Sequence, residues 1–315
     1  MLKVGLVGVG GISGAHISAW ENIKEAELVA ICDIRPEQMD KHPQYRHYTD
    51  FDEMLEQEKF DIIDICLPTY LHTDFSIKAM ENGINVICEK PISLKNEDVK
   101  RVYDTAETNN VKFMIAQVLR FWPEYEFVKT CYDTGKYGKL LSGVMHRLGS
   151  MPIWSFDGWM KDVNRSGLVP YDLHIHDVDF AVWAFGKPNN ETMRRVKKEN
   201  QDYLAAIYDY DNFFITVESA WYASPNYAFA SGFRFQFEDA VLEYKDSMLM
   251  IYEANGEPVM FNSINDKSMG DIGLPSTNAY ENEIEYFTNC VLENKPADKV
   301  KPQELTDVIN ILKKF

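Results

Sequence analysis

The stretch Val4-Gly5-Leu6-Val7-Gly8-Val9-Gly10-Gly11-Ile12-Ser13-Gly14 decides how the rest of the sequence is read. An apolar run enters a set of glycines and then a segment of helical period, the layout of a strand, a tight turn and a helix. Gly8 permits the turn and Gly10 lets a pyrophosphate approach the backbone. The third fingerprint position, where helix packs on strand, holds Ser13, which is small enough to serve. The helix N-terminus then offers unpaired N–H groups and a positive dipole end to a diphosphate. Taken alone, such a turn also arises for backbone reasons, since tight strand-to-helix connections use glycine. What singles this one out is Asp33, twenty residues after Ser13 at the end of the second apolar run. A carboxylate there accepts hydrogen bonds from the adenosine ribose hydroxyls. Strand, turn, helix, strand and acid together predict dinucleotide binding. Asp33 repels a 2′-phosphate and favours NAD, while Arg35, two residues on, is placed to receive one, so NADP stays open.

Outward from this turn, short apolar runs alternate with helix-period segments. Leu2 to Val7, Glu27 to Cys32, Asp61 to Leu67, Asn85 to Cys88 and Val111 to Ala116 read as strands. Gly11 to Asn22, His72 to Asn82 and Lys95 to Asn109 read as helices. Apolar strands joined by helices predict a doubly wound parallel sheet, an α/β Rossmann domain over residues 1–119. After Phe121 the rhythm changes. A helix to about Asp133 and a strand near Leu140 to Arg147 lead into a loop rich in Trp and Gly, then a helix from Pro170. Strands follow at Tyr203 to Asp209, Phe213 to Ala220, Phe229 to Phe237 and Val241 to Tyr244. Two helices, near Asn278 to Glu293 and Pro302 to Lys314, close the sequence. This predicts a second domain over residues 120–315, α+β with a large, mainly antiparallel open sheet. The only linker-like stretch is Asn262 to Thr277.

With 315 residues, 45% of them hydrophobic, the protein is long enough for two domains with cores of their own. It carries 32 Lys+Arg against 49 Asp+Glu, a net charge of -17, with no basic run able to neutralise a phosphate backbone. Nucleic acid and anionic membrane are therefore excluded as expected partners. Apolar sequence begins at Leu2 without a basic leader and cleavage site, and no window approaches a membrane span, so the expected location is cytoplasmic. The five cysteines, Cys32, Cys66, Cys88, Cys131 and Cys290, are widely spaced and form no Cys-x-x-Cys pair. They read as small buried hydrophobes, not as disulfide partners or zinc ligands.

Two further constellations carry chemistry. Pro68-Thr69-Tyr70-Leu71-His72 and Glu89-Lys90-Pro91 stand at the ends of two strands of the first domain. In a doubly wound sheet these ends face the ligand crevice, which puts Lys90 where the nicotinamide end of a dinucleotide lies. A lone Lys after a strand is usually a solvated loop residue, but here Pro91 fixes the turn and is free to adopt the cis form. The other constellation is Pro170-Tyr171-Asp172-Leu173-His174-Ile175-His176-Asp177-Val178-Asp179. Pro170 suits the start of a helix and Gly186 with Pro188 its end. On that helix Asp172 and His176 share one face and His174 points away from it. A carboxylate beside an imidazole makes a general-base pair. A mixed-charge surface helix is the plainer reading, but Leu173, Ile175, Val178, Phe180, Val182 and Trp183 surround the pair on all sides.

With these features the chain resembles the Gfo/Idh/MocA (glucose-fructose oxidoreductase and inositol dehydrogenase) family. The likeness rests on the glycine turn with His16 beyond it, Asp33, Pro68-Thr69 with His72, Glu89-Lys90-Pro91, Gln117-Val118-Leu119-Arg120-Phe121, and Asp172 with His176. The resemblance implies a catalytic trio of Lys90, Asp172 and His176. It also implies cofactor contacts at Gly8, Gly10, Gly11, Ile12, Ser13, Asp33, Arg35, Pro68, Thr69, His72, Glu89 and Gln117. Substrate contacts are implied at Arg120, Trp159, Tyr171 and His174, and no metal. The implied reaction is reversible oxidation of a secondary alcohol on a sugar, polyol or cyclitol by NAD or NADP. The open sheet face, buried between subunits in relatives, implies a homodimer or homotetramer. Three departures stand out: Ser13 for the third Gly or Ala, Ser166-Gly167-Leu168 for a fuller glycine run, and His174 for a Gly.

Trp154, Phe156 and Trp159, beside Asp157, Asp162 and Asn164, suit a sugar ring, or else plug the domain core. Arg147 or Arg165 offers an alternative contact for a substrate carboxylate or phosphate. Two other functions compete. One takes His174, His176 and Asp177 as ligands of a metal-dependent hydrolase. The other is a sensor that binds dinucleotide without turnover, against which the presence of both Lys90 and His176 argues.

Overall fold

A computed structural model describes residues 1–262 and 277–315. By spatial proximity these form two compact units. One contains Met1–Val118 and the described residues 277–302, the other residues 119–262 and Gln303–Phe315. The linker-like stretch Asn262 to Thr277 lies, except for its two ends, outside the described residues.

The first unit holds a parallel sheet of β1 (Leu2–Val7), β2 (Ala26–Cys32), β3 (Arg46–Tyr48), β4 (Ile62–Ile65), β5 (Asn85–Glu89) and β6 (Phe113–Ala116), in the order β3-β2-β1-β4-β5-β6. Every residue of β4 and β6 is buried, as expected of strands covered on both faces. The connecting helices are α1 (Ser13–Trp20), α2 (Pro36–Met39), α3 (Phe51–Gln57), α4 (His72–Glu81) and α5 (Asn96–Thr108). α5 buries Val99, Val102 and Ala106, spaced to line one face. The reversal of strand order between β1 and β4 sets the carboxyl ends of those strands at a switch point, where doubly wound sheets bind ligands. A sequence division after residue 119 gives the whole C-terminal part to the second domain. The structure instead returns residues 277–302 to the first unit, where α9 (Ala279–Leu292) packs against α1.

The second unit is built on an eight-stranded sheet in the order β14-β13-β12-β11-β7-β10-β9-β8. Its strands are β7 (Leu140–Ser150), β8 (Asn190–Lys198), β9 (Gln201–Asp209), β10 (Phe214–Tyr222), β11 (Ala230–Phe237), β12 (Ala240–Lys245), β13 (Met248–Glu253) and β14 (Val259–Met260). The central β7 and β10 run parallel and the other neighbours antiparallel. α6 (Pro123–Thr134) opens with a proline and stops at Gly135, whose φ of 66° closes the helix in the left-handed region. With α8 (Ile175–Phe185) it covers one sheet face through an aromatic layer. Tyr125 meets Phe180 and Phe233 at ring distances of 5.0 and 4.9 Å, and Phe185 meets Phe235 at 5.5 Å. On the strands, Val144, Tyr203, Ile207 and Phe214 are exposed. α7 (Val163–Ser166) and α10 (Pro302–Leu312) complete the unit. Among the described residues no helix is long and apolar enough to cross a membrane. All five cysteines are buried and unpaired.

Candidate functional site

In the first unit, β1 leads into the glycine turn at Gly8, whose φ is +96°. A Cβ there would lie 2.7 Å from the carbonyl carbon and oxygen of Cys66, so the turn is pressed against the end of β4 and only glycine fits. Gly10 is the opposite case: a Cβ there would meet nothing within 4 Å. That open ground, backed by the first turn of α1, is what a diphosphate needs. Gly11 is exposed and Ile12 half-buried, while Ser13 is buried and its hydroxyl donates to Gly10 O at 2.7 Å, closing the turn. Ser13 thus substitutes for a third glycine by adding a hydrogen bond.

Asp33 ends β2 beside this turn. Its Oδ2 accepts the Val9 amide at 2.8 Å, and its Oδ1 accepts the Arg35 amide at 2.9 Å and Arg35 Nε at 3.2 Å. The carboxylate is therefore aimed by the turn itself, and the guanidinium folds back onto it. At the end of β6, Gln117 is buried and its side-chain amide has no partner among the described residues. An orphaned amide at the carboxyl edge of the sheet, with the open ground at Gly10, fits a bound dinucleotide.

Between them, Pro68 is half-buried and Thr69 buried in a short helical turn after β4. His72, expected as a cofactor contact, is engaged within the protein. It is 1% exposed, and its ring bridges Leu67 O at 2.6 Å and Pro91 O at 2.7 Å, tying the two strand-end loops together. Burial holds its pKa below the ordinary value. Glu89 is likewise engaged within the protein, one oxygen facing His16 Nε2 at 3.1 Å and the other accepting the Lys90 amide at 3.0 Å. Lys90 is half-buried, and the Lys90–Pro91 peptide bond is cis.

In the second unit, Pro170–His174 winds as a π-helical turn that runs directly into α8. The wider turn changes the four-residue spacing of Asp172 and His176 from just past one turn to just short of one, which keeps them on the same side. From Pro170 to Phe185 every residue is buried except Asp172, His176 and Trp183, which are half-buried. The turn is preceded by Leu168, a non-glycine residue at φ 62°, held in a core cluster with Met160, Val169, Leu173, Leu204 and Trp221. Gly167 leaves room for the Tyr171 ring, which a Cβ would approach to 2.4 Å. Tyr171 itself is buried, and burial pushes its hydroxyl up to about 12.

Two expected substrate contacts are core groups instead. His174 is 0% exposed, with Nδ1 2.9 Å from the Ser219 hydroxyl and Nε2 2.7 Å from the Tyr208 hydroxyl. Burial drives its pKa down to about 3, so it is a neutral structural histidine. Arg120, also 0% exposed, clamps Asp179 through two bonds at 2.6 and 2.8 Å and pairs with Glu304. Arg147 is spent on Asp177 at 3.0 Å and the Tyr125 hydroxyl at 3.5 Å, and Arg165 pairs with Asp157 at 3.0 Å. With His174 and Asp177 both engaged in this way, the hydrolase ligand set His174, His176 and Asp177 does not converge as a metal site. Trp159 packs half-buried on the Met160 cluster, whereas Trp154 is 72% exposed. The aromatic loop thus divides between core and surface.

Residues 2–117 match the family model described as oxidoreductase family, NAD-binding Rossmann fold, and residues 125–243 match that of the GFO/IDH/MocA C-terminal domain. The chain belongs to the Gfo/Idh/MocA oxidoreductase family. A 2,7-anhydro-N-acetylneuraminate hydratase from Mediterraneibacter gnavus is 33% identical over 146 residues, 46% of this chain and 39% of that protein. A D-apiose dehydrogenase from Paraburkholderia graminis is 29% identical over 188 residues, 58% of this chain and 50% of that protein. The chain spans about half the length of the curated relatives it matches. A solved structure of levoglucosan dehydrogenase in complex with NADH and levoglucosan aligns with a TM-score of 0.84 at 18% identity, covering 99% of this chain and 95% of that one. At that identity the likeness speaks to the fold. The first unit is thus the NAD-binding Rossmann domain of a Gfo/Idh/MocA protein.

Sequence reasoning passes over several groups of this Gfo/Idh/MocA domain. Asp64 and Trp20 read only as parts of a strand and a helix, yet Trp20 Nε1 donates to Asp64 Oδ2 at 2.7 Å in the buried layer behind the turn. Glu283 goes unremarked although it falls on the buried stripe of α9 with Tyr280, Ile284 and Phe287. A charged residue on an apolar stripe is the available signal.

Proposed function

We propose that this chain is an NAD-dependent dehydrogenase acting on a secondary alcohol of a sugar, polyol or cyclitol. The observation that carries the reading is the helix from Pro170 to Phe185, where the few side chains left partly open include an acid and an imidazole four residues apart. The dehydrogenase name of the relative from Paraburkholderia graminis supports the same chemistry.

A neutral alcohol is a poor hydride donor, so the reaction needs its hydroxyl proton drawn off as the C–H bond breaks. His176 takes that proton as general base, and Asp172 orients the imidazole and balances the added charge. The ammonium of Lys90 is the charge assigned to stabilising the developing alkoxide. Bound NAD supplies the hydride acceptor, and the products are a ketone, NADH and the proton on His176. Gly8, Gly10 and the first turn of α1 would hold the diphosphate, Asp33 would hold the adenosine ribose, and Gln117 would offer its amide along the same edge. The carboxylate of Asp33, aimed by the Val9 amide, disfavours a 2′-phosphate and makes NAD the preferred coenzyme over NADP. Trp159 and Tyr171 are the remaining candidates for contact with the sugar. The exposed Val144, Tyr203, Ile207 and Phe214 fit a homodimer or homotetramer formed through the open sheet.

The test is a panel of sugars and cyclitols assayed for NADH formation on protein stripped of nucleotide, repeated with Lys90→Met. Turnover is expected to fall by roughly 100-fold or more, with NADH affinity held within about threefold. A panel without any NADH formation, or a Lys90→Met enzyme as fast as the parent, overturns the reading.

A further inference from the structure

Behind the glycine turn, entirely within the first unit, lies a buried polar cluster for which the proposed reaction has no use. His16, on α1, is 0% exposed, and its Nδ1 is 2.9 Å from Asp64 Oδ2 while its Nε2 is 3.1 Å from Glu89 Oε1. The same Asp64 oxygen accepts the Trp20 indole, and Cys66 Sγ lies 3.6 Å from the other. Tyr280 of α9 sets its ring 5.8 Å from the imidazole. Glu283, one turn further along α9, is 0% exposed and neither of its carboxyl oxygens has a partner among the described residues.

The protons of this cluster can be counted from geometry. An ionised carboxylate only accepts hydrogen bonds, and a neutral imidazole has a single N–H. With an acid on each ring nitrogen, both nitrogens must donate, or one acid must carry a proton. The geometry favours the imidazolium: burial opposes the charge, but Asp64 against the ring outweighs it, so the His16 pKa stands well above its usual value, and His16 in turn holds that of Glu89 below its own despite burial. Glu283 then faces Glu89, Asp64 and His16, with Lys299 as its other charged neighbour. Burial, with the charges of Glu89 and Asp64 added to it, raises the Glu283 pKa well above the ordinary value. Asp64, His16 and Cys66 lie close enough to suggest metal ligands. However, a metal would have to displace the indole N–H and the imidazole from one oxygen, so the donor set reads as a hydrogen-bonded clamp.

We propose that His16 is a positioning residue: gripped between Asp64 and Glu89, it fixes the Glu89 carboxylate, whose other oxygen holds the backbone N–H of Lys90. The helix that receives the coenzyme is thereby coupled to the backbone of the residue assigned to the alkoxide. This inference rests on the role given to Lys90 above.

The test combines a spectroscopic and a kinetic reading. In protein labelled with 15N-histidine, which has seven imidazoles in all, the His16 signals are assigned by their loss in His16→Gln. Both ring nitrogens are expected to stay protonated well above about pH 6.5, where a free imidazole gives up its proton. With the sugar giving the fastest turnover in the panel, His16→Gln is expected to lower kcat at least about tenfold and to leave NADH affinity within about threefold. Added to Lys90→Met, it should cost nothing further, because both changes act on one group. A ring that titrates near the ordinary value overturns the clamp. So does an unchanged kcat in His16→Gln where Lys90→Met abolishes turnover. If Lys90→Met leaves turnover intact, the reading of Lys90 fails, and the proton count on His16 is still decided by the spectrum. Should His16→Gln fail to fold, Glu89→Gln takes its place. With an amide in place of the Glu89 carboxylate, the ring should give up its proton at a lower pH than in the parent, and an unchanged titration also refutes the proposal.

Discussion

The glycine turn offers a test in which one methyl group, placed at two sites two residues apart, separates folding from binding. At Gly8 the added Cβ meets backbone atoms: the carbonyl carbon and oxygen of Cys66 at 2.7 Å and the Leu67 nitrogen at 2.9 Å, with φ at +96°. None of these partners can swing aside as a side-chain tip can. The left-handed backbone costs about 1–2 kcal/mol for an L-residue, and forcing the ends of β1 and β4 apart adds about 1–3 kcal/mol. Together this is roughly 2–5 kcal/mol, a fall in Tm on the order of 3–8 °C for a protein of this size. At Gly10 nothing lies within 4 Å and φ is outside the left-handed region. Gly10→Ala should therefore leave the fold intact or gain about 0.4–1 kcal/mol through a less flexible unfolded state. Its methyl occupies the ground that the diphosphate approaches, so NADH should bind at least about tenfold more weakly, close to 1.4 kcal/mol. Differential scanning calorimetry and NADH fluorescence titration of both variants suffice. Gly10→Ala binding NADH like the parent, or Gly8→Ala melting like it, would refute the assignment of the turn.

Asp33→Ala removes the acceptor of the Val9 amide and of Arg35 together with the carboxylate that repels a 2′-phosphate, so NADH binding should weaken about tenfold while preference moves toward NADPH. Titrating both coenzymes measures it, and an unchanged preference is the contrary outcome. His174 is held neutral by burial, with its pKa near 3 against an unfolded value of about 6.5. Above pH 6.5 both states are neutral and stability is full. Below it the unfolded state takes the proton first, so stability is lost progressively down to about pH 3. Between pH 6.5 and 5 that amounts to roughly 2 kcal/mol. Urea denaturation across that window should show a shallower slope in His174→Gln, and parallel slopes would count against the buried neutral ring. Phe214→Lys puts a charge on an exposed strand position and should shift the protein toward monomer in light scattering. Parent and variant of equal mass would rule out assembly through that face.

Much of the fold was legible because parallel strands buried on both faces leave mostly apolar runs: β6 is uninterrupted, and β1 and β4 are each broken by a single charged residue, Lys3 and Asp64. β3 escaped notice because it has three residues, two of them exposed. β8 has only Met193 and Val196 as apolar side chains among nine, too few for a pattern. At the site, the turn and Asp33 were readable because their chemistry is local in sequence. His174 and Arg120 were misread because what satisfies them is remote: Ser219 and Tyr208 lie 45 and 34 residues from His174, and Asp179 lies 59 from Arg120. A buried polar side chain looks like a ligand contact in sequence until its internal partner is found.

The return of α9 to the first unit bears on how the molecule is made. A ribosome that has released residues 1–118 has supplied all six strands of the parallel sheet, yet α1 lacks its packing against α9 until residues 277–302 emerge. Maturation of the coenzyme half thus awaits the emergence of residues 277–302. Proteolytic excision of the N-terminal fragment would release a body with Trp20 and His16 under-protected, one prone to clump and poor at holding nucleotide.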